Sequence, residues 1–358
     1  MGKKTVAVVF GSVSSEHEVS LISAASVLRN IPRDRYDVIM LGITKDGRWY
    51  EYTGDIELIK QNKWLESGCI TPAVLSPDRS VGGIQRITKN GVENVPVDVV
   101  FPVLHGEHGE DGTIQGLLEL AGIPYVGCGV LASSTCMDKE TTHILLESAE
   151  IKTAPWAVMT SADLSKFEKI EPLIAKNLGY PVFVKPANTG SSVGVSKAKS
   201  KEALYDALKH AFQYDRKVLI ETAIVGDEIE CAVLGNYHEC IASEVGEIVP
   251  RHEFYDYEGK YLDDSTDLYI PARIPDAIAE KIKQTACRAF AVMGCTGLSR
   301  VDFFVLQNGA VIVNEINTIP GFTSISMYPK LFEAAGIPYP QLIDRLIQLA
   351  LDKAGKAD

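Results

Sequence analysis

Two short segments in the last sixty or so residues carry the side chains best suited to binding a metal ion. Asp302 follows Arg300 by two residues, and Asn317 follows Glu315 by two, so each pair shares one face of a predicted strand. Asn308-Gly309 between the segments is a typical hairpin turn sequence. Pairing of the strands would bring two carboxylates and an amide oxygen together, which suits Mg²⁺ beside substrate phosphates.

The sequence therefore predicts a metal site on Asp302, Glu315 and Asn317. The guanidinium of Arg300 beside it suits a transferring phosphoryl group. The alternative is the solvated polar face of an edge hairpin, which the apolar residues flanking both segments disfavour.

A second segment, residues 185–196, has the composition of a phosphate-binding loop. It begins with Lys185 and contains Gly190-Ser191-Ser192 and Gly194. Backbone N–H groups, hydroxyls and a cation can together surround phosphate oxygens. The GxxxxGK[ST] pattern is absent, and the segment joins two predicted strands, so a plain hairpin turn is the alternative.

A third segment, residues 244–269, is long and polar, and its middle is crowded with Tyr, Asp and Glu. It lacks helix or strand periodicity, and loops of this length in a compact domain are usually functional or disordered. We expect a lid that excludes water from a reactive intermediate. A solvated acidic loop is the alternative.

Two weaker patterns point to other chemistry. Residues 127–132 match GxGxxA, but the acidic residue at the required spacing, Glu147, lies in a helical pattern, which disfavours a nicotinamide-dependent oxidoreductase. His105 and His108 resemble a metal pair without the HExxH spacing. We expect His105 to contact an anionic substrate instead.

The elements that must position these residues alternate between strands and helices, which predicts parallel α/β units. We expect residues 45–96 to be an irregular elaboration and residues 133–138 to be a break before a helix. The predicted strands are 6–10, 38–43, 98–104, 181–185, 195–197, 218–221, 228–234, 297–305 and 310–316. The predicted helices are 18–28, 114–120, 139–149, 275–293 and 339–351.

Composition bounds the class of protein. The 358 residues suggest two or three domains, and a net charge of −12 disfavours nucleic-acid binding without excluding a small anionic ligand. No apolar run approaches the roughly 18–20 residues of a membrane helix, and residues 5–10 form too short a run for a signal peptide. The seven cysteines include no CxxC pair, as expected of free thiols in a reducing cytoplasm.

Taken together, the motifs resemble those of the D-alanine–D-alanine ligase family of the ATP-grasp superfamily. The resemblance runs from Val6 to about Leu349. Beyond the segments above, it rests on Glu16-His17-Glu18-Val19-Ser20, Leu104-His105-Gly106 with Gly109-Glu110-Asp111-Gly112, Met137-Asp138-Lys139, Tyr255-Asp256-Tyr257, Lys260-Tyr261 and Pro320-Gly321-Phe322-Thr323. The family usually has two glycines after its first strand, where this chain has Gly11-Ser12.

The resemblance implies an α/β, three-domain ATP-grasp architecture with the nucleotide between the central and C-terminal domains. Residues 1–138 would form an N-terminal α/β domain with the first-substrate loops. Residues 139–226 would form the central subdomain, and residues 227–358 the C-terminal subdomain with the metal site and lid. The implied reaction is the ATP- and Mg²⁺-dependent ligation of two D-alanines through an acyl phosphate, for peptidoglycan precursors. A cytoplasmic homodimer and two Mg²⁺ or Mn²⁺ ions are implied as well.

The resemblance also assigns roles to individual residues. Glu18 would pair with the ammonium of the first D-alanine, and Ser191 and Tyr261 would link with Glu18 to close the loops over the site. Arg300 and the Gly321 N–H would stabilise developing negative charge. The expected ATP contacts are Lys139, Lys185, Glu221 and Glu228. The expected contacts of the second D-alanine carboxylate are Lys260, Ser326 and the Met327 backbone. His105 is expected to be a further substrate contact.

The alternatives within this family are ligases of the resistance type, which make D-Ala–D-Ser or D-Ala–D-lactate. Lactate-making relatives tend to have His at the position of Tyr261, and serine-making relatives tend to differ near Ser326-Met327-Tyr328. A non-catalytic ATP-binding module is disfavoured by the complete set of predicted metal ligands.

Overall fold

The first run of branched apolar residues forms the central strand of a sheet. The computed structural model describes residues 2–237, 239–250, 266–323 and 325–355 of the chain. Strand β1 (Lys4–Gly11) is buried over its last six residues, as expected of a strand covered on both faces. It pairs in parallel with β2 (Tyr36–Ile43) and β7 (Val99–Val103).

The remaining strands of this sheet are antiparallel, so the expectation of parallel α/β units holds only for β2, β1 and β7. Residues 45–96, predicted to be irregular, instead extend the sheet in the order β6-β5-β4-β3-β2-β1-β7. Their strands are only four to six residues long, which blurs the sequence pattern. The added strands are β3 (Trp49–Tyr52), β4 (Ile70–Leu75), β5 (Gly83–Thr88) and β6 (Gly91–Pro96).

Five helices and one 3₁₀ turn lie between residues 17 and 148, and the buried apolar residues of the last two helices belong to a core other than that of this sheet. They are α1 (His17–Asn30), α2 (Ile56–Lys60), a 3₁₀ turn (Trp64–Ser67), α3 (Thr113–Ala121), α4 (Val130–Met137) and α5 (Lys139–Ser148). The predicted break at residues 133–138 is wrong, because α4 occupies most of it. Hydroxyls of Ser134 and Thr135 donate back to carbonyls of their own helix, a use of these residues that composition does not reveal. The helix ends at Asp138, whose side chain accepts from Thr141 N–H and begins α5.

The second sheet is antiparallel and has four strands in the order β10-β9-β11-β8. The predicted hairpin around the glycine- and serine-rich loop is confirmed, because β9 and β10 pair directly. Two helices that the sequence reading did not identify, α6 and α7, lie on this sheet. The elements are β8 (Trp156–Thr160), a 3₁₀ turn (Ser161–Lys166), α6 (Phe167–Leu178), β9 (Val182–Pro186), β10 (Ser196–Ala198), α7 (Lys201–Ala211) and β11 (Lys217–Thr222).

The third sheet has five antiparallel strands in the order β14-β13-β12-β15-β16. They are β12 (Asp227–Asn236), β13 (Glu239–Pro250), β14 (Thr266–Tyr269), β15 (Thr296–Val305) and β16 (Val311–Asn317), with α8 (Asp276–Val292) packed against them. The predicted lid is therefore too long at both ends, because residues 244–250 and 266–269 are paired strands. Its middle, residues 251–265, lies outside the described residues.

Two C-terminal helices, α9 (Met327–Ala334) and α10 (Tyr339–Lys353), join the first and third sheets in one core. Phe322, which precedes α9, is fully buried and packs edge-on against Phe101 of β7 at 5.9 Å between ring centroids. Each of the three sheets falls within one predicted domain, and the boundaries themselves stay a prediction. None of the described helices is long and apolar enough to span a membrane.

The turn after β1 has a backbone shape that favours glycine at two successive positions. Gly11 has φ +93°, and a Cβ there would lie 2.0 Å from the Ile43 carbonyl oxygen. Ser12 has φ +105°, is 2% exposed, and its hydroxyl has no hydrogen-bond partner in the described part of the chain. A side chain at such a φ is strained, so the departure from two glycines has a structural cost here.

We therefore expect Ser12→Gly to raise the free energy of unfolding by roughly 1 kcal/mol, since it removes both the strained Cβ and the buried hydroxyl. Ser12→Ala keeps the Cβ and removes only the hydroxyl, so it should give a smaller gain. Urea unfolding of the three proteins without ligand measures both effects. A glycine variant less stable than the unmodified chain would contradict this account of the turn.

Candidate functional site

A cleft of about 570 Å³ lies between the second and third sheets, within the size range of cofactor pockets. Its polar lining includes all four residues predicted to contact ATP: Lys139, Lys185, Glu221 and Glu228. Its apolar lining includes Ala154, Phe183, Ile224, Phe304 and Val313. A flat apolar slot beside two lysines has the chemistry to hold an aromatic base at one end and phosphates at the other.

A buried ion pair fixes the positions of two charged side chains in the cleft. Lys185 on β9 pairs with Glu221 on the neighbouring strand β11, and His143 Nε2 lies 2.6 Å from Glu221 Oε1. Burial alone would raise the pKa of Glu221, but the Lys185 ammonium and the His143 hydrogen bond outweigh it and hold the pKa at about 2. Glu221 is therefore a fixed anion that orients Lys185 toward the cleft.

The glycine- and serine-rich loop covers one side of the cleft. Ser191 and Ser192 have φ +47° and +60°, and successive residues of this backbone shape turn N–H groups inward. Lys139 at the start of α5 donates from Nζ to the Thr189 carbonyl at 2.6 Å. In the Asp138-Lys139 motif, Asp138 thus begins helix α5, and the adjacent Lys139 holds this loop in place through its bond to Thr189.

The predicted hairpin of β15 and β16 is confirmed, with Asp302 opposite Glu315 and Arg300 opposite Asn317. Directly opposed residues share one face of an antiparallel pair, so the four side chains converge. Asn317 Nδ2 lies 3.0 Å from an Asp302 oxygen and 3.5 Å from Glu315 Oε1. The Arg300 guanidinium makes two bonds of 2.7 Å to Asp302.

This face fits a hard divalent cation. Within the described residues no group of three Asp, Glu, His or Cys side chains could hold a metal, so the donor set is two carboxylates and one amide. Mg²⁺ tolerates such a set because it retains waters or substrate phosphates as its other ligands. The Asn317 amide would turn so that its oxygen faces the ion, since its Nδ2 now points to the two carboxylates.

The charge around this face favours a cation as well. Glu110, at the end of the loop after β7, is partly buried and lies 3.7 Å from His105. Burial, followed by the charge of Glu315, raises the pKa of Glu110 to about 8. The second of these causes shows that the Glu315 carboxylate is close enough to disfavour a further negative charge at Glu110.

The structure differs from the predicted role of Glu18. Glu18 lies on the surface, 46% exposed in its side chain, and pairs with Lys45. The residue that contacts Ser191 is Glu16, two positions earlier, which is 5% exposed and accepts from the Ser191 hydroxyl. The two glutamates are only two positions apart, but α1 begins at His17. Glu18 therefore lies within the helix, whereas Glu16 lies before it and points to the site.

Two glycines make room for the Glu16 carboxylate. A Cβ on Gly106 would lie 2.3 Å from Glu16 Oε2, and one on Gly190 would lie 2.9 Å from the same oxygen. Gly106 belongs to the loop after β7, and Gly190 to the loop between β9 and β10. The carboxylate therefore lies where loops of the first and second sheets meet.

His105 lies in a supporting position. Its ring is 2% exposed, with Nδ1 3.1 Å from the Ile319 carbonyl and Nε2 2.9 Å from the Ser23 hydroxyl. Burial lowers its pKa, which keeps the ring neutral. Direct contact with a substrate would require one of these bonds to be exchanged.

Only some of the residues predicted to contact the second substrate lie within the described part of the chain. Ser326 is the N-cap residue of α9 and bonds to Thr323, so Met327 N–H lies at a helix N-terminus, where carboxylates bind favourably. Gly321 is buried in the loop that leads to this helix. Lys260 and Tyr261 lie outside the described residues.

Sequence reading missed several residues of the site. Glu230 on β12 lies opposite Asp302 and 3.0 Å from Arg300, so Arg300 has carboxylates on two sides. Glu230 follows Glu228 by two residues, so the two side chains share one face of β12. That spacing could have identified Glu230 from the sequence. Glu16 and Glu110 stood within quoted motifs, while His143 had no recognisable pattern.

The sequence patterns that suggested other chemistry have structural explanations. Gly127 approaches Gly297 so closely that a Cβ on Gly297 would lie 2.9 Å from the Gly127 nitrogen. Close backbone packing thus accounts for the glycine at position 127.

Comparison with known proteins gives one family. Models for the D-ala D-ala ligase N-terminus and C-terminus match residues 5–128 and 145–348. A D-alanine–D-alanine ligase of Caldicellulosiruptor bescii is 52% identical over 355 residues, covering 99% of this chain and 96% of that protein. One from Acetivibrio thermocellus is 51% identical, covering 98% and 96%.

Solved structures agree in fold. VanG D-Ala:D-Ser ligase from Enterococcus faecalis has a TM-score of 0.89 at 43% identity, covering 98% of this chain and 100% of that one. The D-alanine–D-alanine ligase from Coxiella burnetii has a TM-score of 0.89 at 35% identity, covering 99% and 96%.

The contact between Glu16 and Ser191 distinguishes two neighbouring glutamates by experiment. We expect Glu16→Gln to lower kcat/KM for the amino-acid substrate by about 10²-fold or more, because a buried charge at the site is lost. Glu18→Gln is the matched control and should stay within about twofold of the unmodified enzyme, since exposed ion pairs contribute little. Steady-state kinetics on both variants is the measurement, and the reverse ranking would contradict the placement of Glu16.

Proposed function

Because the chain belongs to the D-alanine–D-alanine ligase family, we propose that it joins two D-alanines to D-alanyl-D-alanine, with ATP and a divalent cation. The observation that carries this proposal is the convergence of Arg300, Asp302, Glu315 and Asn317 on one face, of which Glu315 lines the nucleotide-sized cleft. The contact of Glu16 with Ser191, which also lines the cleft, adds a further carboxylate.

ATP would occupy the cleft between the second and third sheets. Lys139 and Lys185 would contact phosphate oxygens, and Glu221 and Glu228 would accept from hydroxyl or amino groups of the nucleoside. The apolar walls, including Phe183 and Phe304, would enclose the base. Asp302, Glu315 and Asn317 would hold Mg²⁺ or Mn²⁺, two ions in all, which neutralises phosphate charge when bound.

The first D-alanine would bind with its ammonium near Glu16, which takes the role assigned to Glu18 by the sequence. Its carboxylate is a poor acyl donor until it accepts the γ-phosphoryl group of ATP. Negative charge grows on the acyl phosphate as this happens, and Arg300 and the Gly321 N–H would stabilise it. Arg300 is held for this task between Asp302 and Glu230.

The second D-alanine would bind with its carboxylate at the N-terminus of α9, near Ser326 and the Met327 N–H. Its amine must be neutral to attack the acyl carbon, after which phosphate leaves and the peptide bond remains. An acyl phosphate hydrolyses readily, which gives residues 251–265, with Lys260 and Tyr261, a reason to exclude water. The cellular setting that we propose is peptidoglycan precursor synthesis by a cytoplasmic homodimer, with the domain boundaries given above.

One observation keeps a second candidate open. The solved structure that is 43% identical is a D-Ala:D-Ser ligase, a higher identity than the 35% of the D-alanine–D-alanine ligase of equal TM-score. Curated relatives named D-alanine–D-alanine ligase reach 52% identity, which favours D-alanine as the acceptor. D-Ala–D-Ser and D-Ala–D-lactate ligation are the remaining alternatives.

The metal assignment is tested at Glu315. We expect Glu315→Gln to fold normally and to lower turnover by about 10²-fold or more at saturating Mg²⁺, because the phosphoryl group loses part of its counter-charge. Glu93→Gln, on an exposed edge strand, is the matched control and should leave turnover unchanged. Titration of Mn²⁺ binding by electron paramagnetic resonance gives a second readout, and unaltered binding together with near-normal turnover would refute the assignment.

The acceptor is tested by analysing products with D-alanine, D-serine and D-lactate present together from pH 6 to 8. We expect D-alanyl-D-alanine to dominate and its yield to rise with pH, because α-amino groups lose their proton near pH 8. Tyr261→His should raise the D-lactate product most at the acidic end, since an imidazolium would repel the attacking ammonium. D-Ala–D-Ser as the main product would instead identify the enzyme as a serine-making ligase, and the proposal of ATP-dependent ligation would still hold.

A further inference from the structure

One residue of strand β16 faces the nucleotide cleft but has no role in the proposed mechanism. Asn314 directly precedes Glu315 and lines the cleft together with Lys185. It also lines a smaller cavity, which Glu315 and Asn317 of the metal face border as well. Asn314 is therefore next to both the lysine expected to contact phosphate and the residues expected to hold the cation.

An irregularity in the pairing of β15 with β16 occurs at this residue. Asp302 and Phe303 are successive residues of β15, but they lie opposite residues 315 and 313 of β16. Asn314 is therefore the extra residue of a β-bulge. Bulges of this kind are common next to active sites, where they redirect a side chain.

The burial of β16 shows which way the bulge directs Asn314. Val311, Val313 and Ile316 belong to one apolar core, and their spacing changes from two residues to three at the bulge. The two residues within the wider gap, Asn314 and Glu315, are both only partly buried. Because a regular strand turns neighbouring side chains to opposite faces, the bulge is what places the amide beside the Glu315 carboxylate.

Asn314 also has a contact across the cleft. Its Oδ1 lies 3.4 Å from Nζ of Lys185, which belongs to the second sheet and is also paired with Glu221. An amide has two further hydrogens on its nitrogen, and Nδ2 of Asn314 donates them to no residue in the part of the chain that the structure describes. The group is thus held by its oxygen and has its donors left for a ligand in the cleft.

We propose that Asn314 is a further nucleotide-binding residue, whose amide donates from Nδ2 to a phosphate oxygen of ATP while its Oδ1 accepts from Lys185. The inference rests on the proposed function, which places the phosphates of ATP beside Lys185. An amide suits this position because it adds a donor without adding charge. A carboxylate here would repel phosphate, and a further ammonium would repel the cation that Glu315 is expected to hold.

The binding of ATP, ADP and adenosine to the full-length chain, with Mg²⁺ and without D-alanine, tests this assignment. We expect Asn314→Ala to raise the Kd of ATP and of ADP by about tenfold or more, since a hydrogen bond to a charged group is lost. The Kd of adenosine should stay unchanged, because adenosine carries no phosphate. Isothermal titration calorimetry is the measurement.

Two further variants make the outcome specific. Asn314→Leu keeps most of the side-chain volume and should give the same ranking of the three ligands, which separates the lost amide from a cavity. Asn94→Ala, on the exposed edge strand β6, is the matched control and should leave all three affinities unchanged. Circular dichroism confirms that each variant is folded.

Two results would overturn the assignment. One is an unchanged Kd of ATP in both Asn314 variants, and the other is an equal loss of affinity for adenosine, which would place the contact on the nucleoside. Failure of the unmodified chain to bind ATP would defeat the proposed function together with this inference. A chain that shows the expected ranking but makes no dipeptide would support this inference while refuting the proposed ligation.

Discussion

The register of β15 with its two neighbours is the constraint on which the site depends. Asp302 lies opposite Glu315 on one side and opposite Glu230 on the other, so three carboxylates from three strands share one face. Side chains alternate along a strand, and a slip of one residue would turn this set toward the apolar interior. Val301 and Phe303, which flank Asp302, are buried on the opposite face and would be exposed by the same slip. The hydrophobic core thus fixes the register that assembles the polar site.

That arrangement concentrates negative charge, and the structure compensates for it in three ways. Arg300 lies between Glu230 and Asp302, Lys185 is paired with Glu221, and Glu110 holds its proton because its pKa is raised to about 8. Burial is the first cause of that raised pKa, and the charge of Glu315 is the second. The neutral form of Glu110 keeps a further negative charge away from this face.

Much of this could be predicted from sequence because the relevant signals are local. The Asn-Gly turn and the two-residue spacing were sufficient to predict the β15–β16 hairpin with Asp302 opposite Glu315, and the glycine- and serine-rich loop was sufficient for the β9–β10 hairpin. What failed depended on contacts distant in sequence. Choosing Glu16 over Glu18 requires knowing that α1 begins at His17 and that the carboxylate fits between Gly106 and Gly190, residues of two different sheets. The helix over residues 133–138 was missed because Ser134 and Thr135 satisfy their hydroxyls within the helix.

The composition of the cores indicates where the cleft can open. The first and third sheets share one apolar core through α9 and α10, whereas the core of the second sheet consists of its own residues. The second sheet meets its surroundings through polar contacts, among them Ser191 with Glu16, Lys185 with Asn314, and Lys217 with Asp138. Polar contacts near solvent exchange with water at a net cost of about 1 kcal/mol each, whereas separating a shared apolar core exposes its whole area. Fewer apolar contacts would therefore be lost if the second sheet moved relative to the rest than if the first and third sheets separated.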